Sequence, residues 1–329
     1  MNFFQRWLVA RKLKNNFYEM SAADLRHHQN KAANKLWDFV RNNSAYYKNA
    51  YPFPVPLSQV APCSRTMMMA HFNDINTANL DRDTLVKFRI EKEKTGKMQY
   101  LDGGYSIGLS SGTTGSRLLT VLSKNERDLY SCLLWARNGM PDSVKTHRVL
   151  FALRTYNPTF TEVSAFGIKM VYVDYTHPVE TLIGIINKNR LNILAGPPSL
   201  LLLIARESQK IDHPIDAVVS YAEVLDDAAK NKLESTFQAP VVQIYQGAEG
   251  FIGTTCRAGS LHFNEDVLLI ETVQEPGDGP VRVLITDLYR RTQPIIRYQL
   301  DDLLEISSKP CSCGSSFRVI KKIHGRSDD

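Results

Sequence analysis

The sequence predicts an α/β fold, with mainly parallel sheets covered by helices and a smaller strand-rich subdomain behind them. Three observations predict it. Five short β-branched runs, "RVLFAL" (148–153), "IKMVYV" (168–173), "NILAG" (192–196), "DAVVS" (216–220) and "VVQIY" (241–245), are spaced by helical patterns, three of them at 178–190, 198–210 and 226–238. Strands separated by helices pair in parallel, with both faces covered. From about residue 261 strand-like runs, "VLLIE", "VRVLIT" and "DLLEI", come with turns such as "EPGDGP". The chain has 329 residues, 43% hydrophobic and 22% charged. That is too long for one minimal core and close to the average globular composition, so disorder is not the default.

The elements follow in order. Residues 1–100 are the helical N-terminal part, 101–260 the α/β core and 261–324 the strand-rich subdomain, with 325–329 a terminal stub. The start, "MNFFQRWLVARKLKNNF", mixes aromatics with Arg6, Arg11, Lys12 and Lys14. Its apolar run is broken by Gln5 and Arg6 and is too short for a signal peptide or a transmembrane segment. It reads as a surface-seeking amphipathic helix or, more commonly, a helix docked on its own domain. Ser21 and Asp24 open the next helix, with Leu25, Ala32, Leu36, Trp37 and Val40 at helical spacing. The prolines of "YPFPVPLSQVAPC" interrupt it. Ser123 and Glu126 cap a helix whose Leu129, Cys132, Leu133 and Ala136 share one face, and Asp226 is an N-cap for 226–238.

The net charge of +6 is spread along the chain, so a nucleic-acid partner is not expected and an anionic small molecule is. Five cysteines without a secretory signal argue against a disulfide framework and for a cytoplasmic protein. Cys256, His262, Cys311 and Cys313 form C-x5-H…C-x-C, the ligand types of a tetrahedral structural Zn²⁺ site. The alternative is four unrelated residues with Cys311 and Cys313 in a turn.

"LSSGTTGSRL" (109–118) offers hydroxyls from Ser110, Ser111, Thr113 and Thr114, free backbone geometry at Gly112 and Gly115, and the charge of Arg117. Such a stretch can nest an oxyanion, and alone is as well read as a turn. It lacks the Gly-Lys-Ser/Thr ending of a Walker A loop. Its companions are "SYAEVL" (220–225), "IYQGAEG" (244–250), "QPIIRYQLDDL" (293–303) and "HGRSDD" (324–329). Two of them follow predicted strands, where parallel sheets bind ligands.

In this order the five motifs resemble the adenylate-forming superfamily of acyl- and aryl-CoA ligases. "PIIRY" followed by an Asp, and "CSCG" before "GRSDD", resemble its phenylacetate–CoA ligase/CapK branch, within which the chain is most similar to adenylate-forming enzymes related to coenzyme F390 synthetases. The resemblance runs from about residue 20 to the end. It implies that a small-molecule carboxylate, by this branch aryl or aryl-alkyl, attacks the α-phosphate of ATP. The resulting acyl adenylate passes its acyl group to a thiol of CoA or of an acyl carrier protein.

It also implies residue roles. Ser110, Ser111, Gly112, Thr113, Thr114 and Gly115 would hold the β- and γ-phosphates, Thr113 and Thr114 with Glu249 forming the catalytic set. Glu249 would hold Mg²⁺. Tyr245 would stack on adenine beside Ala222 and Glu223. Asp302 and Arg326 would bind the ribose of ATP or AMP, and Asp328 would be the hinge. Some branch members carry zinc near the Cys/His set. Phe151, Tyr156, Phe160, Phe166 and Tyr221 are candidates for the acyl pocket, and Arg297 for either a substrate contact or a structural ion pair. Two departures stand out: "TGSRLL" replaces Thr-Gly-x-Pro-Lys, and Ala248 replaces the Thr or Ser before the metal-binding Glu. Family members continue past "GRSDD" into a C-terminal domain with a catalytic lysine. This chain is accordingly expected to be the N-terminal domain only, binding ATP or an acyl adenylate but adenylating poorly. A catalytically impaired binding module of the same fold is the alternative.

Overall fold

A computed structural model describes residues 1–95, 100–110, 117–137, 147–153, 168–273 and 279–326. Ten α-helices and fourteen strands are assigned among them. A nine-stranded sheet runs in the order β13 (Asp302–Ile306), β14 (Val319–Arg326), β9 (Leu261–Phe263), β8 (Gly250–Thr255), β7 (Val241–Gly247), β6 (Ala217–Ser220), β5 (Ile193–Gly196), β3 (Arg148–Leu153) and β4 (Lys169–Asp174).

Its first half follows from the alternating pattern. β3 (Arg148–Leu153), β4 (Lys169–Asp174), β5 (Ile193–Gly196), β6 (Ala217–Ser220) and β7 (Val241–Gly247) pair in parallel. The helices α8 (Val179–Asn189), α9 (Pro198–Arg206) and α10 (Asp227–Phe237) make the later crossovers. They bury Leu182, Ile186, Leu201, Ile204 and Leu233 in one cluster with Leu150, Leu194, Val218 and Val241. Neighbouring strand positions point the other way: Val149, Phe151, Ile193, Val219 and Tyr221 form a second cluster. Each such side chain stabilises by about 1.5–3 kcal/mol when fully buried. The expected caps form. Ser21 accepts from the Asp24 amide at 3.1 Å, Asp226 from Ala229 at 2.7 Å, and Glu126 reaches back to the Ser123 amide at 2.6 Å.

Parallel pairing ends at β7. Residues 247 and 250 are register partners, so Ala248 and Glu249 form a two-residue hairpin loop into β8 (Gly250–Thr255). A tight turn forces antiparallel pairing. The sheet continues so through β9 (Leu261–Phe263), β14 (Val319–Arg326) and β13 (Asp302–Ile306). The sheet is therefore mixed, and the strand-rich stretch divides. β10 (Leu268–Val273), β11 (Arg282–Asp287) and β12 (Tyr298–Gln299) form a separate three-stranded sheet, while β9, β13 and β14 extend the large one.

The N-terminal helices α1 (Phe3–Glu19), α2 (Ala22–Asn43), α3 (Ala45–Ala50), α4 (Arg65–Ala70) and α5 (Phe72–Ile75) include core residues of the antiparallel half, while α6 (Arg82–Thr95) buries Leu85 with Phe72, Ile107, Leu119 and Val121. Leu36, Trp37, Val40 and Tyr47 share a cluster with Phe263, Ile285, Ile295 and Tyr298. β1 (Ser106–Leu109) and β2 (Leu119–Leu122) form a short antiparallel pair leading into α7 (Lys124–Ala136). Cys132 on α7 is fully buried, as its helical spacing predicts. Among the described residues no helix is long and apolar enough to cross a membrane.

Candidate active site

A cleft of about 420 Å³ lies where β7 passes from parallel to antiparallel neighbours. Ala222, Glu223, Tyr245, Glu249 and Asp302 line it, together with Arg65 and Asp301. Five of the sequence-predicted residues, from three separated segments, therefore face one space.

Tyr245 ends the regular part of β7, and its phenol donates a 2.6 Å hydrogen bond to Asp302 Oδ2 at the start of β13. Burial, and then the Asp302 carboxylate, hold the phenol well above its ordinary pKa, so it stays a donor. Oδ1 of Asp302 takes no protein hydrogen bond among the described residues. Asp302 is the register partner of Arg326 in β14; the Arg326 side chain lies outside the described residues.

Glu249 sits at the hairpin apex. Its carboxylate folds back over Gly247 so closely that a Cβ on Gly247 would clash with Oε2. Any other residue at 247 would move the carboxylate. Ala222 has φ 69°, a left-handed backbone that a non-glycine residue adopts at a penalty of about 1–2 kcal/mol. It bends the chain after β6 so that Glu223 turns back on α9. There Glu223 accepts from the Ser199 amide (3.1 Å) and hydroxyl (2.9 Å), capping that helix. Glu223 thus has a structural partner as well as a place on the cleft wall.

Ser110 closes the base of the Ser/Thr/Gly loop. Its amide donates to the Leu118 carbonyl at 2.9 Å and its hydroxyl accepts from the Leu118 amide at 2.8 Å. Ser111, Gly112, Thr113, Thr114, Gly115 and Asp328 lie outside the described residues. Arg117 approaches Glu93 on α6, at 3.5 Å.

Sequence reasoning missed three cleft-supporting residues. Arg65, on the first turn of α4, lines the cleft and pairs with Asp301. Arg290 is buried, and donates to the carbonyls of Ala248 (3.1 Å) and Glu249 (3.4 Å). It also donates to Gln293 Oε1 at 2.8 Å. Gln293 in turn accepts from the Val121 amide (2.9 Å) and donates to the Leu119 carbonyl (2.8 Å). Arg290 and Gln293 thereby tie the hairpin apex bearing Glu249 to the strand that follows the Ser/Thr/Gly loop. The run of polar residues in "YRRTQP", directly after an apolar strand, was the available signal. Arg297 instead makes a structural pair: it donates to Glu271 at 3.0 Å and to the Val60 carbonyl. Phe151 and Tyr221 are buried against one another, with ring centroids 5.3 Å apart, and neither lines this cleft. Tyr156, Phe160 and Phe166 lie outside the described residues.

Away from the cleft, the ligand atoms of Cys256, His262, Cys311 and Cys313 all lie within 4.8 Å of one another. The Cys256 and Cys311 sulfurs are 3.8 Å apart, and Cys313 Sγ is 3.6 Å from His262 Nε2. A tetrahedral Zn²⁺ with ordinary bond lengths separates two thiolates by about 3.8 Å and a thiolate from an imidazole by about 3.5 Å. His262 Nδ1 is 2.8 Å from the Phe317 carbonyl, which fixes the tautomer with Nε2 free to ligate. Burial pushes the Cys311 thiol up, but hydrogen bonds from Ser260 and its neighbours outweigh it and bring it down to about 6. These residues fit a zinc ion.

No protein-family model matches the chain. Protein CapK of Staphylococcus aureus is 23% identical over 324 residues, covering 93% of this chain and 69% of that protein. Phenylacetate-coenzyme A ligase of Thermus thermophilus is 27% identical over 248 residues, covering 68% of this chain and 55% of that enzyme. The fold is that of 2-hydroxyisobutyryl-CoA ligase, solved with 2-HIB-AMP and CoA. The TM-score is 0.70 at 14% identity, over 94% of this chain and 70% of that one.

Proposed function

We propose, from the chain's membership of the adenylate-forming superfamily on the phenylacetate–CoA ligase/CapK branch, that it belongs to an acid–thiol ligase working through an acyl adenylate. The observation that carries this reading is the meeting of Tyr245, Glu249 and Asp302 in one cleft at the β7 switch.

In the proposed reaction a carboxylate oxygen attacks the α-phosphorus of ATP, the bond to the β-phosphate breaks, and pyrophosphate leaves. A thiol, of CoA or a carrier protein, then attacks the acyl carbon and AMP leaves. The protein's task is to position the reactants and neutralise charge. Glu249, whose carboxylate lies over Gly247 and whose backbone carbonyl accepts from Arg290, would hold Mg²⁺. That ion would screen the triphosphate against the attacking carboxylate. Tyr245 packs against adenine, flanked by Ala222 and Glu223. Asp302 Oδ1 accepts from a ribose hydroxyl, with Arg326 the second ribose contact. The Ser110–Gly115 loop takes the terminal phosphates, and Arg65 adds a cation at the cleft wall. Asp328 is the hinge. The acid is aryl or aryl-alkyl. Cys256, His262, Cys311 and Cys313 would hold a structural Zn²⁺, which would staple the β8–β9 turn to the 311–313 turn.

The test is a calorimetric titration of the chain with Mg-ATP and with sulfamoyl-adenosine mimics of aryl, branched and linear acyl adenylates. The expected result is saturable ATP binding and an aryl mimic that binds at least a hundredfold tighter than AMP, as mimics of reacting species do. Absence of nucleotide binding overturns the reading; preference for a linear mimic overturns the aryl assignment alone.

A further inference from the structure

We propose that the outer face of α1 seats this protein on an anionic phospholipid surface. The inner face of the helix is fixed to the domain. Ala10, Leu13 and Phe17 are buried, and Arg6 and the Met1 amine both pair with the buried Asp128 of α7. The outer face is not shaped by those contacts. Phe3, Phe4 and Leu8 are 60%, 63% and 46% exposed. Nine large hydrophobic side chains are exposed among the described residues; these three fall within six consecutive positions and the other six are scattered. Trp7 stacks on Phe4 with centroids 6.2 Å apart.

The charges follow a matching order. The first two turns expose Phe3, Phe4 and Leu8 beside a single polar side chain, Gln5, and the next two carry Arg11, Lys12 and Lys14. Phe4, Leu8 and Arg11 lie at i, i+4 and i+7, hence on one face. The Arg11 guanidinium lies over the Trp7 ring at 5.4 Å, and among the described residues neither Arg11 nor Lys12 has an ion pair. The sole acid on the helix is Glu19, its last residue. Aromatic and leucine side chains that can enter the acyl boundary, beside long cations that can reach phosphates, match the chemistry of an anionic bilayer surface. A protein interface core, by contrast, is depleted of charge. Since no described helix can cross a bilayer, α1 lies along it.

Co-sedimentation with phosphatidylcholine vesicles, with and without phosphatidylglycerol, tests this. The expected result is binding to the anionic vesicles alone, weakened by salt. Arg11→Gln/Lys12→Gln should lower it about 30-fold, at about fivefold per basic side chain. Phe4→Ser/Leu8→Ser should lower it at least about tenfold, with an unchanged melting temperature because both positions are exposed. No vesicle binding, equal binding to neutral vesicles, or variants that bind like the parent overturn the proposal. So does self-association in the ultracentrifuge that Phe4→Ser/Leu8→Ser abolishes while vesicles stay unbound, which would make the occupant a second copy.

Discussion

The cleft and the Cys/His cluster are both assembled from distant segments, yet they are built on opposite plans. In the cleft the polar groups are half-buried: Asp302 commits Oδ2 to Tyr245, with no bond to Oδ1 among the described residues, and Glu249 rests over a glycine. In the cluster three of the four residues are buried, and the four ligand atoms face one another. Open capacity suits a ligand that must come and go. Mutual facing suits an ion that stays, and Phe17, edge-on to both His262 and Phe317, joins the cluster to α1. Damage should therefore appear as lost ligand affinity in one region and lost stability in the other.

The largest effect is expected at the cluster. Cys313→Ala should remove bound zinc and lower stability by at least about 3 kcal/mol, since a structural metal's binding energy is folding energy. Metal analysis with urea denaturation reads both, and Mg-ATP affinity should hold within a few-fold where the variant is folded. At the cleft, Glu249→Gln should weaken Mg-ATP binding by about a hundredfold, near 2.7 kcal/mol, with unchanged denaturation. A stability loss there instead would erase the contrast between the two regions.

Asp287 sharpens the comparison, because it supports the cleft without entering it. Burial pushes its carboxyl up to about 6, against the amides of Tyr289 and Arg290 that it accepts from. The native state therefore holds a proton that the unfolded chain, at the ordinary 3.8, gives up. Stability from this group is present below pH 3.8 and falls as pH rises towards about 6. Asp287→Asn should accordingly add up to about 3 kcal/mol above pH 6 and nothing below pH 4, in urea titrations across that range. The smallest effect is Tyr245→Phe: losing one hydrogen bond to Asp302 should weaken ATP binding about tenfold by calorimetry.

The parallel half of the fold was legible because its strands are β-branched runs and its helices are capped by Asp226 and by Ser123 with Glu126. β8 and β9 were not, since "GFIGTT" and "LHF" are almost wholly buried and carry no alternation. β1, β2 and α4 are only four to six residues long, below what periodicity resolves. In the site, the strand pattern singled out Tyr245 and Glu249 at a strand end, while their roles and that of Asp302 were implied only by the resemblance to the adenylate-forming superfamily. Arg65 could not be found, because an isolated arginine in sequence does not reveal which carboxylate it will meet; for Arg290 and Gln293 the polar run "YRRTQP" marks the segment but not the carbonyls and amides it reaches. The two expectations held open for Arg297 resolve to an ion pair with Glu271.

The central claim is that the space at the β7 switch is a nucleotide site organised by Asp302 and Glu249. Calorimetric titration of the parent chain, Asp302→Asn and Glu249→Gln with Mg-ATP and with AMP tests it most directly. The expected result is one site in the parent, weaker ATP and AMP binding in Asp302→Asn, and loss confined to Mg-ATP in Glu249→Gln. Equal affinity of all three proteins for both nucleotides, or none in the parent, would contradict it.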